Sequence, residues 1–146
     1  MKLKTILLLA MVMVIIAIPM PANAREKPLE TDLSAEISGP ELRYTDVQSL
    51  KGDLAISSSG KASVFGSIVA RSAGKTRVKC ALRKYKDGTW SDHKTWTVTK
   101  DFRVATVMAD WYVPSGYYYK LYVYGYAWVD GKLVDTPIFV NNSKYY

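Results

Sequence analysis

From Gly52 to Val140 segments with a period-two pattern of side chains follow one another, separated at regular intervals by short turns, several of them glycine-bearing. In an extended strand successive side chains point to opposite faces, so a period of two assigns every second residue to the same side of a sheet. Ala62, Val64, Gly66, Ile68 and Ala70 share one side of a segment over 62–70. Val78, Cys80 and Leu82 share one side of a segment over 76–85, with Arg77, Lys79 and Arg83 on the other. Asp87-Gly88 and Asp130-Gly131 are dipeptides that tight hairpins favour, because they accept positive φ. Further strands are expected over 53–57, 90–100, 104–113, 117–129 and 132–140, and LRYTDVQSL (42–50) reads as an edge strand or a short turn of helix, the strand favoured. No segment after residue 24 keeps a helical period for three turns. The expectation is an all-β chain, a single antiparallel β-sandwich of about seven strands occupying residues 41–146.

The N-terminus reads as an address. Lys2 and Lys4 precede an apolar run from Ile6 to Met20, Pro19 and Pro21 break it, and Ala22-Asn23-Ala24 offers a small–x–small cleavage site. The run is short of the roughly 20 residues a membrane-spanning helix needs. Residues 1–24 are therefore expected to be a signal peptide, residues 25–40 a flexible leader, and the product secreted, with no membrane anchor after cleavage. The formal net charge is +7 and early acids offset it, so the chain beyond about residue 50 is the more basic part. Such a balance favours anionic partners, namely cell-wall glycan or another anionic surface polymer. Export and the lack of a concentrated Lys/Arg block argue against nucleic acid. Cys80 is the single cysteine, so no internal disulfide forms, and its place between Val78 and Leu82 makes it a small buried core residue.

The stretch GYYYKLYVYGYAWVDG (116–131) is the most unusual part of the chain. Alternation puts Tyr117, Tyr119, Leu121, Val123, Gly125, Ala127 and Val129 on a charge-free core face. The opposite face carries Tyr118, Lys120, Tyr122, Tyr124, Tyr126 and Trp128, the candidate ligand-binding residues, with the Lys120 ammonium in water. Five such rings offer upward of about 750 Å², more than the largest apolar patch of a typical monomer, about 300–600 Å². Either neighbouring strands cover them with Trp90, Trp96, Trp111 and Lys/Arg stems, or the face is partly open and binds something flat and amphipathic. Gly125 is a candidate bulge at which the alternation slips by one.

The run VPSGYYYKLYVYGYAWVDG resembles the last two strands of immunoglobulin-like and fibronectin type III sandwiches. The resemblance implies that Tyr117 or Tyr119 ties its hydroxyl to the preceding turn. Together with the signal peptide and CALRKYKDGTW, the chain also resembles small secreted Gram-positive bacterial proteins of unknown function. That group implies secretion and a β-rich domain and transfers no active-site residues.

Chemistry is sparse. His93, the one histidine, lies in the polar stretch SDHKTW and is expected to be a solvent-exposed turn residue. One His and one Cys do not make a zinc site. The aspartates stand singly near turns, without calcium-loop spacing, and no nucleophile elbow or phosphate-cradling glycine loop occurs. The expectation is a non-enzymatic protein without catalytic residues, metal or cofactor, binding an extracellular surface component through the aromatic face. A bacteriocin-like membrane-active effector and a self-associating structural protein are the alternatives.

Overall fold

A computed structural model describes residues 44–146. The expected signal peptide (1–24), the expected leader (25–40) and residues 41–43 lie outside the described residues. Among the described residues all regular structure is strand: β1 (Val47–Ile56), β2 (Lys61–Ala70), β3 (Lys75–Lys86), β4 (Thr89–Lys100), β5 (Val104–Tyr112), β6 (Tyr118–Val129), β7 (Lys132–Asp135), β8 (Ile138–Val140) and β9 (Lys144–Tyr145). Every pairing is antiparallel. A three-stranded sheet in the order β1-β2-β5 faces a larger one in the order β4-β3-β6-β7, with β8 and β9 also paired to β6. The chain is an antiparallel β-sandwich, as the alternation requires.

The inner faces supply the core. Val64 and Ile68 of β2, Val78, Cys80 and Leu82 of β3, and Tyr119, Leu121 and Val123 of β6 are buried, along with Leu54 and Val107. The Cys80 sulfur occupies the space that Gly66 leaves, since a Cβ at Gly66 would collide with it. Burial pushes the Cys80 thiol up to about 12, and a thiol held protonated is a poor nucleophile.

Three expectations need correction. Residues 47–50 of the segment expected at 42–50 and the strand expected at 53–57 belong to one strand, β1, which runs through Gly52 opposite Gly66 without a break. A Cβ at Gly52 would meet Val123 and Phe139, so this glycine admits a close approach between sheets and does not end a strand. Gly125 is likewise no bulge: the β3–β6 register runs unbroken past it, with Val78 opposite Gly125. The strand expected at 132–140 is divided into β7 and β8, interrupted by Thr136 and Pro137, and a further short strand, β9, follows it. Proline has no N–H to give a ladder, but the Pro137 carbonyl still accepts the Gly125 N–H at 2.8 Å.

Two buried carboxylates fix where the described chain enters the sandwich. Asp135 accepts backbone N–H groups of Thr45 (3.0 Å), Asp46 (2.7 Å) and Val47 (2.9 Å). Asp46 accepts from the Ser72 N–H (2.7 Å), the Ser72 hydroxyl (2.6 Å) and the Ala73 N–H (2.8 Å) in the β2–β3 turn. Burial pushes the Asp46 carboxyl up, but the Ser72 hydroxyl, these backbone donors and the Arg71 charge outweigh it and hold the carboxyl below its ordinary value. At the far end the Tyr119 hydroxyl donates to the Pro114 carbonyl at 2.7 Å. Of the two tyrosines proposed for this tie, Tyr119 makes it.

Candidate functional site

The outer face of the larger sheet holds the candidate residues, and the β3–β6 register decides what each of them meets. Lys75 stands opposite Trp128, Arg77 opposite Tyr126, Lys79 opposite Tyr124, Ala81 opposite Tyr122, and Arg83 opposite Lys120. Because both strands alternate in phase, the basic side chains of β3 lie beside the rings of β6. Tyr118, Tyr122, Tyr124, Tyr126 and Trp128 are half-buried there. They are neither bare nor sealed.

The rings stack on one another along the strand. Tyr122 and Tyr124 have centroids 6.3 Å apart at 21°, and Tyr126 and Trp128 have centroids 6.0 Å apart at 25°. Cations then lie over them. The Lys75 ammonium is 5.6 Å from the Trp128 ring, and the Arg77 guanidinium is 5.3 Å from Trp128 and 6.0 Å from Tyr126. Lys79 is 5.5 Å from Tyr124 and Arg83 is 4.5 Å from Tyr122. A cation over an aromatic face gains about 0.5–1 kcal/mol at exposed sites, enough to restrain a long side chain. Burial raises the Tyr124 hydroxyl's pKa against the opposing Arg83 charge.

Lys120 differs from the expectation. It is only 6% exposed, and its ammonium lies 5.1 Å from the Trp90 ring. Like charges directly opposite one another repel, and Arg83 faces Lys120 across the ladder. Arg83 leans away over Tyr122 and bonds the Asp92 carboxylate on β4, Nε to Oδ1 at 2.7 Å. Burial works against the Arg83 charge, but Asp92 more than offsets it and its pKa is raised. The other tryptophans expected over the stripe lie elsewhere. Trp96 packs against the core, and Trp111 belongs to β5 in the smaller sheet, under the Lys94 ammonium at 4.1 Å.

On the far side of β6, Leu133 pairs with Trp128, Ile138 with Tyr124, and Tyr145 with Tyr118. Leu133, Ile138 and Tyr145 are exposed. At the Trp128 end the rings run into an open cleft lined by Ser72, Gly74, Lys75, Trp128, Asp130 and Gly131. Chemically the face offers a line of half-desolvated, ring-held positive charges above an aromatic floor. Lys75, Arg77, Lys79 and Arg83 complete the candidate set from β3, and their signal was already present in the outward positions of KTRVKCALR.

His93 is not the exposed turn residue expected from SDHKTW. It lies within β4, half-buried, with its ring 5.9 Å from that of Tyr119 in an edge-on arrangement. Burial, reinforced by the Lys84 charge, lowers its pKa, and its Nε2 is buried without a hydrogen-bond partner. Among the described residues no three His, Cys, Asp or Glu side chains stand together as a metal site.

No family model and no curated protein matches the chain. Among solved structures it is similar to a glycosyl hydrolase family 2 member from Bacteroides cellulosilyticus, at 17% identity and a TM-score of 0.35, over 62% of this chain and 13% of that one. It is also similar to a protein from Archaeoglobus fulgidus, at 10% identity and a TM-score of 0.31, over 68% of this chain and 97% of that one. The chain thus spans a small part of the length of the hydrolase, and neither likeness bears on its activity.

Proposed function

We propose that this protein is a secreted, non-catalytic β-sandwich that binds an anionic polymer of the cell surface, wall glycan foremost, through the outer face of its larger sheet. The observation that carries this reading is the set of cations Lys75, Arg77, Lys79 and Arg83, each held over a ring of β6. Free lysine and arginine side chains lose up to about 2 kcal/mol of rotamer entropy when a ligand fixes them. Ring-held cations have already lost part of that freedom, so a bound anion orders less. The strand order β1-β2-β5 against β4-β3-β6-β7 and the Tyr119 tie to Pro114 support a fibronectin type III or immunoglobulin-like sandwich. The N-terminal pattern of residues 1–24 supports export.

Sedimentation with purified cell walls tests the proposal. The protein should pellet with the walls, less so as salt rises, and Arg77→Ala combined with Lys79→Ala should leave most of it in the supernatant. Wild-type protein that stays in the supernatant at low salt would overturn the reading. A membrane-active effector is the second reading, favoured by exposed Leu133 and Ile138, which lie across β6 from these cations. Leakage from anionic vesicles supports that reading, and silence at micromolar protein removes it.

A further inference from the structure

The cations of this face form a line as well as a patch. Residues i and i+2 of a strand are about 6.8 Å apart, so Lys75, Arg77 and Lys79 recur at that interval on one side of β3. The next outward position is Ala81, which has no charge. Its rung of the ladder faces Tyr122, and the ring of Tyr122 carries the guanidinium of Arg83 from one rung further on. The small side chain at 81 thus leaves its place to Arg83. Four successive rungs, facing Trp128, Tyr126, Tyr124 and Tyr122, each hold a cation over a length of about 20 Å.

Resting on the polyanion reading above, we infer that this row binds a linear phosphodiester-linked polyol lying along β3, one phosphate to each of Lys75, Arg77 and Lys79, with the Arg83 guanidinium, already bonded to Asp92, at the end of the row. A three-carbon polyol puts six bonds of about 1.5 Å between successive phosphorus atoms, which extended reaches about 7 Å and matches the rungs. A row this long calls for a chain of charges, where a single head group would meet one rung. A polyuronate carries its charge once per sugar ring and falls out of step. Single-stranded nucleic acid has phosphates to offer, but its binding draws on bases stacked against open aromatic faces. Here the faces of Tyr122, Tyr124, Tyr126 and Trp128 are engaged by cations and by each other.

Calorimetric titration of the purified protein with poly(glycerol phosphate), polygalacturonate and oligo(dT), each at several salt concentrations, tests this. The polyol phosphate should bind tightest, and Arg77→Gln should shallow its log K against log salt slope by about 0.7, one phosphate contact. Lys51→Gln, on the opposite sheet, should leave both affinity and slope unchanged. The decisive variant moves one charge sideways at constant net charge: Lys79→Thr with Thr97→Lys, residues directly opposite on β3 and β4. It should weaken binding about tenfold, the loss of one charge-assisted contact, with an unaltered melting curve. Equal affinity for polygalacturonate, or a sideways variant that binds as well as wild type, would overturn the inference and leave the polyanion reading standing. Tighter binding of oligo(dT) would overturn it in favour of nucleic acid. Pelleting with cell walls but no binding of poly(glycerol phosphate) would refute this inference alone, whereas failure to pellet as well refutes both.

Discussion

The Asp135 carboxylate accepts the backbone N–H of Asp46 at 2.7 Å, and the Asp46 carboxylate grips the turn at Ser72 and Ala73. Two acids some ninety positions apart thereby join the start of β1, the end of β7 and the β2–β3 turn into one hydrogen-bonded corner.

Asp135→Asn is expected to destabilise the fold by about 1–3 kcal/mol, because an amide nitrogen would face backbone N–H donors and leave them unsatisfied. Urea unfolding followed by tryptophan fluorescence measures it. Asp46→Asn should cost a similar amount near neutral pH. The Asp46 pKa is lower in the fold than in the unfolded chain, so its contribution is present above the unfolded value and disappears as pH falls through the folded one. The wild-type–Asn difference should therefore shrink in acid.

Tyr119→Phe removes the donor to the Pro114 carbonyl and nothing else. A loss of about 1 kcal/mol is expected, with the near-ultraviolet spectrum of the native state largely kept. A variant as stable as wild type would show that the tie at this corner contributes nothing net.

Two glycines give a contrast in packing. A Cβ at Gly125 would lie 2.9 Å from Ile68 Cδ1 and 3.0 Å from both Leu50 Cδ1 and Pro137 Cγ, whereas one at Gly74 meets nothing within 4 Å. Gly125→Ala should cost about 1–3 kcal/mol through overpacking, and Gly74→Ala should stay within about 0.5 kcal/mol of wild type. Thermal denaturation of the pair separates them.

His93 gives the fold a second pH dependence. Burial and Lys84 lower its pKa, so the unfolded chain takes up a proton at a higher pH than the native state does. Stability is full above the ordinary histidine value and declines as pH falls through it. Denaturation midpoints at about pH 7.5 and about pH 5.5 should differ in wild type, and the difference should narrow in His93→Phe.

The alternation made β2, β3 and β6 legible, because each buries one face and leaves the other toward solvent. It also separated Leu121 and Val123 from Tyr122 and Tyr124 correctly. It failed where a distant element decides the environment. Gly52 has the look of a break, yet β1 needs a glycine there so that Val123 and Phe139 can approach. His93 in SDHKTW has the look of an exposed turn residue, but β3 pairs the stretch as an edge strand with an irregularity at Leu82 and Arg83, and His93 lies against Tyr119. Lys120 sits among tyrosines as a solvated charge would, and only the pairing of the strands brings the Trp90 ring to within 5.1 Å of its ammonium. Asp46 and Asp135 carry no local mark at all, since their partners are donors from other parts of the chain.

The division of the last margin into three short strands, β7, β8 and β9, has a bearing on how these molecules behave when crowded. A foreign backbone seeking to zip onto the margin beyond β6 meets runs of four, three and two residues with a proline between the first two, and finds no continuous row of donors and acceptors to template on. A chain so rich in tyrosine and β-propensity would otherwise be a good seed for fibrils, and this fragmented border keeps that margin from recruiting its own kind.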